Sequence, residues 1–342
     1  MFKRILTILT VAALIGLGSA PARSQQPKDL RWGTPPVGTS GHKAMVTLAA
    51  LLNKEMPAYR ISVLPTAGAI ATVKGFALKE LDGNYGSDIA FHELATDSNR
   101  FKGFKSRVLR MPMQSFWSNT IEVSLAVHVR NKDKIRKWAD LAGKRIFTGP
   151  LPFDVRAHLE RGLAALDIKF TYLQVDLSTV GSQLESGAID AMNIYTGSES
   201  APPPWLAEAS LATDWAALNP SPEELAVLKA KGLSSVVVDP KVFKRNVHVD
   251  KVVELPFYYG FNVGLDVPAD DVYKILKIIE ANAANLAKID PTFSQIANNM
   301  ADFQKRGVQS SADLVPIHPG LAKWMREKGV WDSKWDSKIA TM

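Results

Sequence analysis

The chain has 342 residues, of which 41 are Lys or Arg and 34 are Asp or Glu, and it contains no Cys. The lack of Cys excludes disulfide scaffolds, thiolate catalysis, cysteine zinc sites and iron–sulfur clusters. Apolar residues make up 46% of the chain and charged residues 22%, which is typical of a globular protein and excludes a disordered one. The length predicts two domains, each with an interior of its own.

The first residues have the pattern of an export signal. Two basic residues precede the uncharged run 5–17, and small residues follow as far as Ser24. This order is typical of a secretory signal peptide, and the run is shorter than the roughly 20 residues that span a bilayer. We expect residues 1–24 to be a signal that is cleaved after Ala22 or Ser24, which leaves the mature protein in the periplasm.

Removal of this segment lowers the charge of the protein. Lys3, Arg4 and Arg23 leave with it, so the formal net charge falls from +7 to +4. The remaining basic stretches, such as 102–110 and 132–137, alternate with apolar residues or carry an Asp, as solvated surfaces do. We therefore expect no nucleic-acid partner.

The mature chain alternates between strand and helix patterns, which predicts α/β layering with parallel strands. In the first part, strands are predicted at 30–32, 60–64 and 88–91 and helices at 42–53 and 70–81. The helical segments repeat apolar residues at three and four positions, whereas the strands are short and apolar. This order predicts one wound half of an α/β domain.

A similar arrangement begins again near residue 144. Its predicted elements are a strand at 144–147, a helix over about 155–166, a strand at 170–175, a helix at 178–185 and a strand at 188–192. The last strand contains an Asp and resembles the strand predicted at 88–91. The sequence thus predicts two lobes of similar build.

Two segments are expected to connect these lobes. Apolar residues alternate along 122–130, which predicts a strand from lobe one into lobe two, and the chain returns near residue 262. A long amphipathic helix is predicted at 270–289. We expect a hinge of two crossing strands and a ligand cleft between the lobes. The predicted limits are 27–124 with 262–342 for lobe one and 125–261 for the inserted lobe two.

Motifs for catalysis, phosphate binding and metal binding are missing from the sequence. The glycines at 33 and 38 have the spacing of a phosphate loop, but Thr39 stands where that loop needs a Lys. The six His residues show no metal-ligand spacing. We therefore predict no catalytic residue, metal or cofactor. An enzyme in which His92 and Glu93 act as base and acid is the alternative.

Two loops of small and hydroxyl-bearing residues precede helices in lobe one. Ligands of open α/β sheets bind at the carboxyl ends of strands, where a helix N-terminus favours an anion by up to about 2 kcal/mol. Helix capping explains either loop alone, whereas two loops facing a second lobe favour a ligand cleft. The residues predicted to bind ligand are Thr39, Ser40, Gly41, His42, Thr66, Ala67, Gly68 and Ala69.

Lobe two contributes a further set of candidates. Arg156 lies at the start of a predicted helix, where its guanidinium would bind a carboxylate bidentately, and a solvent-facing Arg is the equal alternative. Phe153 and Asp154 would close over the ligand, with Asp154 accepting from an amine. The remaining candidates are Asn193, Tyr195 and Ser198, of which Tyr195 would serve equally as a packed wall.

The ordered motifs of the mature chain resemble those of the TAXI family of TRAP transporter solute receptors. They are the Gly/Thr-rich loop and helix of 33–53, the loop 66–69, the segment 88–91, the Asp-Leu-Ala-Gly-Lys-Arg-Ile run of 140–146, the segments 184–191 and 272–274, and the His-Pro-Gly of 318–320.

This resemblance implies a type II periplasmic binding fold without catalytic activity. Such a monomeric receptor would deliver a small organic acid, for example glutamate or 2-oxoglutarate, to a TRAP-type membrane permease. We expect Thr66 and Arg156 to face each other across the cleft. The chain departs from the family pattern at Gly41 and His42, where paired tyrosines are usual, and at 152–155, where Gly-Ser-Gly-Thr is usual. An ABC importer or a sensory system remains an alternative partner.

Overall fold

The computed structural model describes residues 26–341, so the predicted signal segment lies outside the described residues. Within this part of the chain, ten strands form one mixed sheet with ten α-helices around it. None of the helices described there is both long enough and apolar enough to cross a membrane.

The strands are β1 (Lys28–Thr34), β2 (Tyr59–Pro65), β3 (Gly83–Ser87), β4 (Trp117–His128), β5 (Arg145–Phe147), β6 (Thr171–Tyr172), β7 (Ala191–Gly197), β8 (Trp215–Leu218), β9 (Val236–Val238) and β10 (Val252–Val263). The helices are α1 (Ser40–Glu55), α2 (Ala69–Ala77), α3 (Asp88–Ala95), α4 (Asp154–Ala165), α5 (Val180–Ser186), α6 (Pro204–Ala212), α7 (Pro222–Ala230), α8 (Ala269–Ile289), α9 (Ser294–Ser311) and α10 (Pro319–Glu327).

Two long strands, β4 and β10, connect the two ends of the sheet. The strand order is β2-β1-β3-β10-β4-β7-β5-β6, with β8 beside β4 and β9 beside β10. β10 pairs with β3 through residues 259–263 and with β9 through residues 252–254. Both strands therefore run from the lobe that contains β1–β3 into the lobe that contains β5–β9. The predicted α/β two-lobe fold with two crossing strands is confirmed.

The two lobes share one connected apolar interior. Every residue of β4 is buried, so side chains such as Ile121 and Leu125 continue the interior of one lobe into the other. The expectation of two separate interiors is therefore wrong. A strand that is buried along its whole length joins the cores that it connects.

The segment 88–91, predicted as a buried strand, is the beginning of helix α3. Ser87 is the N-cap of this helix, and its Oγ accepts a hydrogen bond from the N–H of Ala90 at 2.9 Å. The predicted likeness to the strand at 188–192 is also wrong, because β7 begins only at Ala191.

The strand of this region, β3, has the sequence Gly-Asn-Tyr-Gly-Ser and is fully buried. It lacks the apolar run that predicts a strand. The glycines are needed because aromatic rings lie against the backbone: a Cβ on Gly83 would lie 2.5 Å from the ring of Trp32, and one on Gly86 would lie 2.5 Å from Phe91.

The longer helices agree with their apolar patterns. The helices predicted at 42–53 and 270–289 are confirmed as α1 and α8, whose apolar residues recur at helical spacing and face the interior. The strand predicted at 170–175 is reduced to the two residues of β6.

Candidate functional site

A small cavity lies between the lobes beside the crossing strands. Its volume is about 30 Å³, which is room for little more than ordered water. We call it the inner cavity. It is lined by Pro35, Thr39, Ser40, Gly41, Ala69 and Tyr85 from the first lobe, by Ile121 and Tyr259 from the crossing strands, and by Phe153, Asp154, Val155 and Tyr195 from the second lobe.

Three helices begin at the inner cavity. α1 contributes Ser40 and Gly41 to the lining, α2 contributes Ala69, and α4 contributes Asp154 and Val155. No side chain caps α2 or α4, so the N–H groups of their first turns have no side-chain acceptor in the described part of the chain. Converging N-termini of this kind produce a positive potential that suits an anion.

The carboxylate of Asp154 reaches across the boundary between the lobes. Its Oδ2 accepts hydrogen bonds from the hydroxyl of Ser87 at 2.6 Å and from that of Tyr259 at 2.7 Å. Its Oδ1 accepts from Nη1 of Arg100 at 2.6 Å, and the Asp154 side chain is 0% exposed. A charged group from the second lobe is thus held by β3, by β10 and by the turn that contains Arg100.

Arg100 binds a second carboxylate as well. Its Nε donates to Glu93 at 2.8 Å, while its Nη2 is buried and has no hydrogen-bond partner among residues 26–341. Burial disfavours the charged form, but Asp154 and Glu93 outweigh burial and raise the pKa of Arg100 above its ordinary value. The two carboxylates therefore favour the charged form of the guanidinium.

A larger space lies on the other side of this ion pair. We call it the outer cleft; its volume is about 380 Å³. It is lined by Glu93, Asn99, Arg100, Leu151, Arg156, Ala157, Glu160 and Arg161. Because Arg100 lines the outer cleft and Asp154 lines the inner cavity, the pair that they form separates the two spaces.

Tyrosine rings form much of the wall of the inner cavity. Tyr85 stacks on Tyr259, with ring centroids 4.2 Å apart, and Tyr195 packs against Trp205. Burial raises the pKa of Tyr85 and of Tyr259 well above the ordinary value and that of Tyr195 to about 12. All three hydroxyls are therefore protonated and able to donate. The hydroxyl of Tyr85 is buried without a partner in the described residues.

The structure brings many of the predicted binding residues together. Those that line the inner cavity are Thr39, Ser40, Gly41, Ala69, Phe153, Asp154 and Tyr195. Glu93 and Arg156 line the outer cleft instead. The hydroxyl of Thr39 caps α1, since it accepts from the N–H of His42 at 3.3 Å and donates to the carbonyl of Pro36 at 2.7 Å.

Other predicted residues of the first lobe maintain the loops. The hydroxyl of Thr66 donates to the carbonyl of Thr34 at 2.9 Å, and Nδ1 of His42 lies 2.9 Å from Oγ1 of Thr34. Ala67 is exposed. Gly68 lies against the second lobe, because a Cβ there would be 3.3 Å from the carbonyl oxygen of Pro152.

Arg156 does not face Thr66, contrary to the expectation from sequence. Its Nε donates to Glu160 at 2.7 Å, and its guanidinium lies over the ring of Tyr172 at 3.9 Å. Both partners belong to the second lobe, so Arg156 reaches the outer cleft but not the loop that contains Thr66.

Asn193 and Ser198 lie outside both spaces. Asn193 is buried in β7, and its amide has no partner in the part of the chain that is described. The hydroxyl of Ser198 donates to the carbonyl of Thr292. His92 is exposed, whereas Glu93 is buried against Arg100, and no hydrogen bond joins the two side chains in this structure. The two residues of the enzyme alternative thus have different surroundings, His92 in solvent and Glu93 against Arg100.

Four polar residues at or beside the inner cavity were not predicted from the sequence. They are Tyr85, Ser87, Arg100 and Tyr259. Tyr85 and Ser87 belong to a strand without an apolar pattern, and the other two lie in a turn and on a crossing strand. The position of Ser87 immediately before a helix is the one local signal among them.

The chain matches a protein-family model and is similar to solved structures. The model of the NMT1-like family matches residues 32–329. No curated protein sequence gives a significant match. Among solved structures, the periplasmic aliphatic sulphonate binding protein SsuA from Escherichia coli is 14% identical, with a TM-score of 0.45 over 88% of this chain and 90% of that chain. The periplasmic nitrate-binding protein NrtA from Synechocystis PCC 6803 is 11% identical, with a TM-score of 0.45 over 77% of this chain and 66% of that one.

Proposed function

The chain belongs to the NMT1-like family, and we propose that it is an extracytoplasmic receptor that captures a small organic acid between its lobes. The observation that carries this proposal is a cavity lined from both lobes and placed beside two crossing strands. A solute that touches both lobes favours the closed arrangement through contacts that exist only there. Binding is thereby coupled to closure of the hinge.

A carboxylate ligand is supported by the chemistry around the cavity. Three helix N-termini meet there, and the groups of Ser87, Arg100 and Tyr259 already bind a carboxylate, that of Asp154. The outer cleft supplies space for the rest of a solute and a further guanidinium, that of Arg156. Dicarboxylates and acidic amino acids such as 2-oxoglutarate and glutamate are the first candidates.

We further propose that residues 1–24 direct export to the periplasm and are then removed, and that the loaded receptor docks on a TRAP-type permease. The motifs that resemble the TAXI family support this partner, and an ABC importer is the alternative. Uptake of the solute into vesicles that contain the permease distinguishes the two partners. An ion gradient drives uptake through a TRAP-type permease, whereas ATP drives uptake through an ABC importer.

Mass spectrometry of the mature protein tests export, since an intact Met1 contradicts cleavage.

The proposed lobe limits, 27–124 with 262–342 and 125–261, fall within β4 and β10. Expression of residues 125–261 alone tests them: a fragment that unfolds cooperatively in urea supports the limits, and an unfolded fragment contradicts them.

The ligand class is tested by thermal unfolding against a panel of acids with their amides as controls. A solute that binds only the folded state at about 100 times its Kd adds about 2.7 kcal/mol to the free energy of unfolding. We expect glutamate or 2-oxoglutarate to raise Tm and glutamic acid diamide to have little effect, since the diamide lacks both carboxylates that Arg100 would bind. Equal effects of glutamate and its diamide, or no effect of any acid in calorimetry, would contradict the proposal.

A further inference from the structure

We infer that Asp154 is an internal ligand of the protein: its carboxylate occupies the carboxylate site formed by Ser87, Arg100 and Tyr259, and a carboxylate solute binds by displacing it. This inference rests on the proposed function and adds to it the identity of the site and of its competitor.

The contacts of Asp154 are those of a bound anion. All its side-chain hydrogen bonds in the described residues go to Ser87, Arg100 and Tyr259. Ser87 and Arg100 belong to the first lobe, and Tyr259 pairs with Ser87 in the sheet. Asp154 itself is the first residue of α4 in the second lobe. A carboxylate from the second lobe is therefore bound by two groups of the first lobe, Ser87 and Arg100, and by Tyr259 of the crossing strand β10.

The small inner cavity agrees with this arrangement. Its volume of about 30 Å³ has no room for an organic acid while Asp154 is in place. Asp154 contacts both sides of the cleft, since it belongs to α4 of the second lobe and is held by Ser87 and Arg100 of the first. A solute therefore has to displace Asp154 to reach Arg100 from the inner cavity.

An internal competitor has two consequences for binding. A solute carboxylate has to replace Asp154 on Arg100, so its apparent affinity is the intrinsic affinity multiplied by the fraction of molecules in which Asp154 has left the site. A neutral solute leaves the buried guanidinium without its second carboxylate, which is costly. The site therefore selects anions, although Arg100 is already paired with Asp154 before a solute binds.

Chemical rescue tests the inference without knowledge of the natural solute. Asp154→Ala removes the internal carboxylate, and acetate is the probe that replaces it. We expect Asp154→Ala to have a lower Tm than the original protein and to regain it saturably with sodium acetate, but not with sodium chloride of equal ionic strength. The original protein should not respond. Asp167→Asn is the matched control, because Asp167 is a carboxylate of the same lobe that is 89% exposed and pairs only with Lys169. An Asp154→Ala protein that responds equally to acetate and chloride would overturn the inference.

A second measurement remains informative where Asp154→Ala folds poorly. Since the chain contains no Cys, Val37→Cys and Val237→Cys introduce one spin label on each lobe, at sites that are 72% and 60% exposed. Without solute, we expect one narrow distance in the labelled protein and a broader distribution, shifted in distance, in the isosteric variant Asp154→Asn. Identical distributions would show that Asp154 does not hold the lobes together.

The same variant separates this inference from the proposed function. For an acid that binds the original protein, Asp154→Asn should tighten Kd by about tenfold. Binding of an acid with no change in Kd or in lobe distance leaves the receptor proposal intact and rejects the internal ligand. Acetate rescue with no acid of the panel bound supports the internal ligand and rejects the proposed solute class.

Discussion

Glu122 and Glu254 lie on the two crossing strands and both contact the same hydroxyl group, that of Thr196, at 2.8 and 2.6 Å. A hydroxyl has a single proton to donate, so one of the two carboxyl groups has to be protonated and donate to the Thr196 oxygen. Both carboxyl groups are fully buried. Burial raises the pKa of Glu122 to about 7 and that of Glu254 well above its ordinary value.

The contribution of Glu122 to the stability of the protein should therefore fall as pH rises from about 5 to about 8. The folded pKa of Glu122 is above its ordinary value of 4.5, so the folded state binds more protons than the unfolded state within this window. The proton on Glu122 stabilises the folded state at low pH, and this stabilisation is lost as pH rises through the folded pKa. For Glu122 the loss in the free energy of unfolding is on the order of 3 kcal/mol. Urea unfolding at several pH values measures it.

Glu122→Gln isolates this effect from other titrating groups. The amide keeps the shape of the side chain but does not ionise, so we expect a flatter dependence of stability on pH than in the original protein. Glu208→Gln, at an exposed position, is the control and should leave the dependence unchanged. Parallel curves for Glu122→Gln and the original protein would show that the carboxyl pair does not titrate as described.

Arg100→Ala should be strongly destabilising. It leaves the carboxylates of Asp154 and Glu93 buried without their cation, and breaking a buried ion pair in this way costs about 3–5 kcal/mol. Arg156→Ala is the comparison, because it removes a partly exposed pair with Glu160 and should cost about 1 kcal/mol or less. Chemical denaturation measures both, and similar losses would contradict the central place given to Arg100.

Gly41→Ala should destabilise the protein and weaken solute binding. A Cβ at this position would lie 2.6 Å from the ring of Tyr85, which is fully buried and stacked on Tyr259 and so cannot move away. Overpacking of this kind costs about 1–3 kcal/mol. Gly197→Ala is the control, since the nearest atoms there are at 3.8 Å. A Gly41→Ala protein as stable as Gly197→Ala would show that the ring of Tyr85 adjusts freely.

Tyr85→Phe should leave stability unchanged or raise it. The hydroxyl that it removes is buried and has no partner in residues 26–341, so its loss removes a desolvation cost of about 1–3 kcal/mol. The same hydroxyl faces the inner cavity as a donor, so we expect the affinity for a carboxylate solute to fall by about tenfold.

Tyr59→Phe provides the opposite case. The hydroxyl of Tyr59 donates to Asp271 at 2.6 Å, far from the cleft, and its loss should cost about 1.5–3 kcal/mol without any effect on solute binding. Calorimetry and urea unfolding on both variants check the pair. Equal destabilisation by the two substitutions would mean that the Tyr85 hydroxyl is satisfied in the folded protein.

The accuracy of the sequence analysis differs between elements for a physical reason. α8 was predicted because it buries one set of side chains at a regular interval that is visible in the residue order. β4 was predicted from its alternating apolar residues, although all of its residues are buried. β3 was not, because its burial is achieved by glycines that make room for Trp32 and Phe91. Thr39 lines the inner cavity, and its hydroxyl caps α1.

The amino-acid order alone determined the alternation of strands and helices, the strand that crosses between the lobes, and the small residues at the beginning of α1 and α2. These features depend on neighbours within a few residues of one another. The site at the centre of the cleft depends on groups 54, 67 and 105 residues away from Asp154. Many polar side chains in the chain are chemically equivalent to these three. Tertiary structure alone decided which of them are buried together, because that depends on how the two lobes close on each other.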